Sequence, residues 1–507
     1  MRIRNYLRNA LYSLSTFFIL GLFSLFLRKV ILKNYSITVL GFEGLFSNLF
    51  SFMSLADMGI ETVISYRLFS AITDKDSIKV NYLMSIYKKV CRIASLAILI
   101  LGVFTSLFIK KLIKGNEYDW SFVYLVYYIQ LLSVLSTYLL GYKRLIFIVN
   151  QNEAEITKVN FYCTCITNIL KIMSIVLLNN YLLYLILNIL NNIVINLCIN
   201  NLSKKKYPSL ETDEEIHYYE LKNNGIIKDI AYGLPSKVSG IIYAGTDNII
   251  ISAFAGIQKV GFITNYNTVV TMVSAVMEKL LSPLQASISN YIYSEDKESG
   301  VSLFFMFDRI CFFIASFISI TFFCMFNPFI TVWIGKEYLL PLSFVFAFSI
   351  NQYILYIHKV LVFYRYSFGN YEIDTKYNFI AAIINVIISL LLVKKYDVTG
   401  VMIGTIIGHL GFWYGRFLLV HKIYIPSGNT MYIKRQLCNI VLVLFEGYIT
   451  YRICDVIHLS YIGLCLKFVV CLLVPNIINL ALFLPSKDGK MIVDYFKKTI
   501  SVLANKK

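Results

Sequence analysis

Several ionisable side chains lie inside stretches of this chain that are otherwise apolar enough to cross a membrane, among them Arg28, Asp57, Glu61, Lys171, Lys237, Asp247 and Glu278. A charge in hydrocarbon is costly, so such groups face a protein interior or a watery cavity. Arg28, Lys171 and Lys237 are suited to an anion, above all a phosphate, which arginine can grip with two parallel hydrogen bonds. For Arg28, followed by Lys29 and Lys33, snorkelling to the headgroups is an equal alternative. Lys171 is too deep in its span to snorkel easily. Lys237 follows Gly233-Leu-Pro-Ser, where proline can open the helix and expose backbone polar groups. Asp247, alone in mid-span, fits a cation site, a proton carrier or a structural partner for a basic residue.

Asp57 and Glu61 belong to a longer pattern. Ser47, Ser51, Ser54, Asp57, Glu61 and Ser65 recur at spacings of 4, 3, 3, 4 and 4, which is one face of a helix. Some 220 residues later come Thr264, Thr268, Thr271, Ser274, Glu278, Ser282, Gln285 and Ser289. The same offset lays Leu40-Gly41-Phe42 on Val260-Gly261-Phe262. The chain therefore reads as two halves, each with a striped helix at the same place, related by an axis along the membrane normal.

The elements that carry these residues are spanning helices. Of 507 residues 58% are hydrophobic and 15% charged, with mean hydropathy +0.67; soluble domains carry about 25% charged residues. Apolar runs of 18 or more residues recur, the length that crosses a core about 30 Å thick. The expected fold is an all-α polytopic membrane protein of about 14 spans: two six-helix bundles around a central cavity plus two extra C-terminal helices. Expected domains are residues 1–203 for the first bundle, 204–231 for a cytoplasmic linker, 232–422 for the second bundle, and 423–507 for two further spans and a tail. The N-terminal Arg2, Arg4 and Arg8 precede an apolar run with no small-residue cleavage site, which reads as an uncleaved first span.

The net charge of +18 is informative through its distribution and does not argue for nucleic acid. With both termini cytoplasmic, 31 of the 47 Lys and Arg fall on the inner side and 11 on the outer, as the positive-inside rule requires. The ten cysteines are scattered, without a disulfide framework or zinc spacing, and the five histidines likewise, so no metal site is expected. Glu446 and Lys467, in the last two spans, are expected to pair. There is no phosphate-binding Gly-x4-Gly-Lys-Ser/Thr loop.

Several segments resemble a known family. Leu55-Ala-Asp-Met-Gly-Ile-Glu-Thr-Val-Ile-Ser-Tyr-Arg-Leu-Phe69 is similar to the second-span exit of bacterial polysaccharide flippases. So are Gly141-Tyr-Lys-Arg144 with Asn150-Gln-Asn152, Gly245-Thr-Asp-Asn-Ile-Ile-Ile-Ser252, and Val332-Trp-Ile-Gly-Lys-Glu-Tyr-Leu-Leu-Pro341. Together, over residues 10–420, they resemble the polysaccharide transport branch of the multidrug/oligosaccharidyl-lipid/polysaccharide exporter superfamily. The resemblance implies a non-enzymatic transporter in the bacterial cytoplasmic membrane, without a cofactor. It would move undecaprenyl-diphosphate-linked glycan units, including O-antigen, capsule or exopolysaccharide precursors, from the inner to the outer leaflet by alternating access. Membrane lipids, a glycan polymerase and assembly proteins would be its partners.

Arg28, Lys171 and Lys237 would then meet the diphosphate, with Asp57, Glu61 and Glu278 along the sugar path. Coupling to a proton or sodium gradient would use Asp247, Asn385 and Thr405; the eleventh span offers asparagines but no carboxylate, which counts against sodium. The alternative on the same fold is a cation-coupled multidrug antiporter, which should have an acid-dominated cavity. A membrane-embedded polymerase or glycosyltransferase would need a long outward loop rich in catalytic residues. The longest one here, near 109–119, holds only Glu117 and Asp119 as acids.

Overall fold

The computed structural model describes residues 2–54, 60–212, 238–242, 245–292, 297–368, 371–423 and 429–504. Asp57 and Lys237 lie outside them, as does most of the linker. The described residues are helical, with no strand among them. In the first of two compact units, Met1–Val273, the helices are α1 (Arg2–Asn34), α2 (Thr38–Met53), α3 (Ile60–Thr73), α4 (Ser77–Ser106), α5 (Trp120–Leu140), α6 (Glu153–Val176), α7 (Tyr181–Lys206) and α8 (Val238–Ala255). The boundary falls within α9 (Ile257–Ile292). The second unit, Ser274–Lys507, continues with α10 (Lys297–Trp333), α11 (Leu342–Ile357), α12 (Lys359–Phe368), α13 (Tyr371–Ile423), α14 (Asn429–Val456), α15 (Tyr461–Phe483) and α16 (Lys487–Ala504).

Twelve helices among the described residues are long and apolar enough to span. The 48-residue stretch Thr375–Lys422 contains a non-helical Asp397 at φ 56°, so two spans run through it. The expected second span holds α2 and α3, and residues 55–59 between them lie outside the described residues. The helix surfaces carry exposed Leu96, Ile100, Phe104, Leu170, Leu391, Val441 and Leu473, the side chains expected against lipid tails.

Within the first unit, glycines set the closest helix approach. A Cβ on Gly41 of α2 would collide with the Ile257 carbonyl oxygen, and one on Gly261 of α9 would stand 2.5 Å from the Ile37 carbonyl oxygen. Small residues allow such crossings in membranes. The two contacts are one contact made twice, because Ile37 and Gly41 map onto Ile257 and Gly261 at the offset of 220. The segment before α5 closes over this crossing. The Glu117 carboxylate accepts from Ser36 at 2.8 Å and Thr38 at 3.2 Å, and also from Gln258; Gln258 lies 220 residues after Thr38. Lys114 bonds Ser252 and Ile257 through its backbone at 3.2 and 2.9 Å, pinning the corner where Gly256, at φ 111°, turns α8 into α9.

The second unit is organised around α10, which packs on α11, α14, α15 and α16. A polar cluster fastens this arrangement: Gln436 donates to Asp308 at 3.0 Å, Arg309 donates to Asn439 at 3.1 Å, and Arg435 pairs with Asp488 of α16. The Arg309 guanidinium also lies 3.6 Å over the Phe483 ring. Removing one member of a buried ionic network costs about 3–5 kcal/mol. Asp308→Ala is therefore expected to lower the unfolding midpoint in detergent substantially, while Asp494→Ala, at an exposed position of α16, leaves it in place. Equal midpoints for the two variants in a thermal size-exclusion assay would show that the cluster is not structural.

Candidate functional site

Two of the cations singled out above, Arg28 and Lys171, lie in the first unit near a pair of tyrosines, Tyr181 and Tyr184, that also face a carboxylate not singled out with them, Glu43. Arg28 of α1 donates from Nη1 to Asn265 of α9 at 3.3 Å. Lys171, buried on α6, donates to Asn188 of α7 and lies 5.3 Å from the Tyr184 ring centroid. Tyr181 donates its hydroxyl to Glu43 at 2.9 Å. Tyr184 and Lys171 are within electrostatic reach of Glu43, and both tyrosines are within reach of Arg28. The helices place these groups because α1 packs along α6 and α6 along α7.

Magnitude explains this placement. A lipid-facing Arg or Lys at a helix centre costs roughly 3 kcal/mol each. Two such groups plus a stranded carboxylate would use up most of the 5–15 kcal/mol that holds a fold together. Turned inward, the cations and Glu43 serve as counter-charges, and the tyrosine hydroxyls satisfy the remaining lone pairs.

Next to this cluster is a polar cavity of about 360 Å³ lined by Glu43, Ser47, Gln130, Ser133, Tyr184, Asn188 and Asn192, with Phe50, Val134 and Leu185 as its apolar part. Asn192 donates to Ser133 Oγ at 3.1 Å, and the buried Gln130 Nε2 has no hydrogen-bond partner. Such a wall offers amide and hydroxyl groups to a hydroxylated solute, with the Glu43 carboxylate in it and Lys171 bonded to its Asn188.

The other predicted residues are distributed differently. Glu61 is exposed on α3, within electrostatic reach of Tyr87 on α4 and Tyr138 on α5. Glu278 is exposed on α9 and acts on Lys359. Asp247 is half-buried on α8. Asn385 and Thr405, both buried on α13 to either side of the Asp397 break, meet at 3.4 Å from Nδ2 to Oγ1, and the Asn385 carbonyl oxygen has no hydrogen-bond partner.

The stripe hydroxyls are largely bonded within their own helices. Ser51, Ser54, Ser65, Thr264, Thr268 and Thr271 each bond a carbonyl of their own helix at 2.6–2.9 Å, a local satisfaction open to Ser and Thr. Ser47 is the stripe residue that lines the cavity. Two signals for the missed groups were present in the sequence. Glu43 lies four residues before Ser47 and extends the stripe by one turn. Tyr181, Tyr184, Asn188, Asn192 and Asn196 form a third stripe on α7, at spacings of 3, 4, 4 and 4.

Lys171→Met should destabilise the protein by stranding Glu43 among tyrosines. Adding Glu43→Gln should restore much of the loss, since removing both partners of a buried pair costs less than removing one. Additive losses in melting midpoint across this double-mutant cycle would mean that the two charges are not coupled.

No protein-family model matches the sequence, and no curated protein does. Solved structures do match. The lipid II flippase MurJ, in an inward closed conformation, superposes at a TM-score of 0.69 with 12% identity, over 93% of this chain and 99% of that one. A multidrug resistance MATE family transporter of the MOP superfamily, in an inward-facing conformation, superposes at 0.61 with 15% identity, over 81% of this chain and 98% of that one. Both are transporters, and neither is an enzyme. This chain shares their all-helical membrane-transporter fold.

Proposed function

We propose that the chain is a multi-pass flippase of the bacterial cytoplasmic membrane, with both termini cytoplasmic, that moves undecaprenyl-diphosphate-linked oligosaccharide units to the outer leaflet. The observation that carries this reading is the membrane-embedded Lys171, bonded to Asn188 in the wall of a cavity of amides and hydroxyls, with Arg28 acting on the same Tyr184 that Lys171 approaches. A diphosphate needs cations, and sugars need hydrogen-bonding walls. In the unloaded protein Glu43 acts as the internal counter-ion; an arriving diphosphate competes with it for Arg28 and Lys171. The fold shared with the lipid II flippase supports a lipid-linked cargo.

Asp247, with Asn385 and Thr405, is proposed to couple transport to an ion gradient, and Asp57, Glu61, Glu278 and Lys237 to line the route. Polymerase and assembly proteins are its proposed partners.

A second reading, a cation-coupled multidrug antiporter, is supported by the MATE likeness and by the carboxylate at the edge of the cavity. The two readings differ in which charge meets the cargo. Under the first, Arg28→Ala and Lys171→Ala each abolish surface glycan export when export is normalised to the amount of protein in the membrane, and ethidium efflux is absent throughout. Wild-type export by both variants would remove the diphosphate cradle. Efflux abolished by Glu43→Gln, without glycan export by the wild type, would establish the antiporter.

A further inference from the structure

The scattered cysteines of the sequence are not all scattered in space. Cys324 of α10, Cys454 of α14 and Cys471 of α15 bring their sulfur atoms within 4.8 Å of one another. Cys454 and Cys471 are 3.9 Å apart, and all three are buried. The residues are 130 and 17 positions apart, so no linear spacing motif could announce them. They come from three different helices of the second unit, and the mechanism proposed above uses none of them.

We infer that these three thiols form a binding site for a soft monovalent cation of the copper(I) class. The geometry is close to what such an ion needs. Metal–sulfur bonds of about 2.3 Å, arranged at the corners of a flat triangle, require sulfur atoms about 4.0 Å apart. Thiolate sulfur selects soft ions such as Cu(I), and Cu(I) accepts three ligands. Structural zinc is nearly always held by four, and no fourth histidine, cysteine or carboxylate joins this group among the described residues.

The charges also balance. Lys467, buried on α15, donates its ammonium to the Cys454 carbonyl at 2.7 Å and acts electrostatically on both Cys454 and Cys471. It is therefore not paired with Glu446 as the sequence suggested, and its charge is directed at the thiol cluster. When Cu(I) enters, two thiols release their protons to solvent as their sulfur electron pairs go to the metal, and the third binds as a neutral thiol. The resulting complex carries one negative charge, which the Lys467 ammonium matches. No electron is transferred. The bound ion would tie the α14–α15 hairpin to α10 at a point two residues from the end of α14, reinforcing from the opposite side the hold that the Asp308–Arg309 cluster provides.

The test uses the full-length protein in detergent, kept anaerobic and reduced, and titrated with Cu(I) against a chromophoric Cu(I) chelator. One equivalent should bind with a rise in melting midpoint. X-ray absorption on the loaded wild-type protein should report sulfur neighbours only, three of them, at about 2.3 Å. Cys324→Ser, Cys454→Ser and Cys471→Ser should each weaken binding by about tenfold or more, whereas Cys165→Ser and Cys438→Ser should not. Absence of stoichiometric binding, two or fewer sulfur neighbours, or affinity unchanged by Cys454→Ser would overturn the assignment. Because the absorption measurement needs no variant, it decides the matter even if the serine variants fail to fold. The outcome is independent of glycan export, so failure here leaves the transport reading untouched.

Discussion

A charged group inside a membrane protein can be satisfied only by other groups of the protein or by a cargo that replaces them. That constraint governs the first unit. Glu43, Lys171, Arg28, Tyr181 and Tyr184 form a closed set in which every charge has an answer nearby. The cations of the set are held by the side-chain amides of Asn188 and Asn265, which an arriving anion can replace. A transporter needs a site that is stable when empty and better satisfied when full. An internal counter-ion that an anion can displace meets that requirement without a large cavity having to stand empty in the bilayer.

The second unit handles its charges differently. Asp308, Arg309, Arg435 and Asp488 are also buried or partly buried, yet they join helices to one another across α10, α14 and α16. The Arg309 guanidinium is sandwiched on Phe483, an arrangement that fixes it in place. Buried ionisable groups thus serve two purposes in one chain. What separates them is the neighbourhood: amides and hydroxyls around a cavity in the first case, helix-to-helix pairs in the second.

Much of the fold could be read from the sequence, because hydrophobic length is a strong local signal and the bilayer sets its scale. The long α13 shows the limit: a break at a single residue of positive φ is a matter of backbone geometry that composition does not encode. Of the candidate site, Arg28 and Lys171 were legible as deep cations in apolar runs. Their placement around Glu43 was not, since it depends on how α1, α6 and α7 pack. The stripes show what spacing leaves open: hydroxyls at helical spacing mark one face, but whether they bond back to their own helix, as eight of them do, depends on rotamers that the sequence does not encode. For the cysteines, distance along the chain concealed proximity in space.

The reciprocal crossing of α2 and α9 bears on where this chain came from. When Ile37 meets Gly261 as Gly41 meets Ile257, the contact has the self-complementary form of an interface between two identical subunits. A half-length ancestor that paired with itself would make it with a single kind of surface, and duplication and fusion would then preserve both copies in one polypeptide. Glu117 breaks that symmetry: a single carboxylate answers both Thr38 and its counterpart Gln258, so one loop serves two equivalent positions at once.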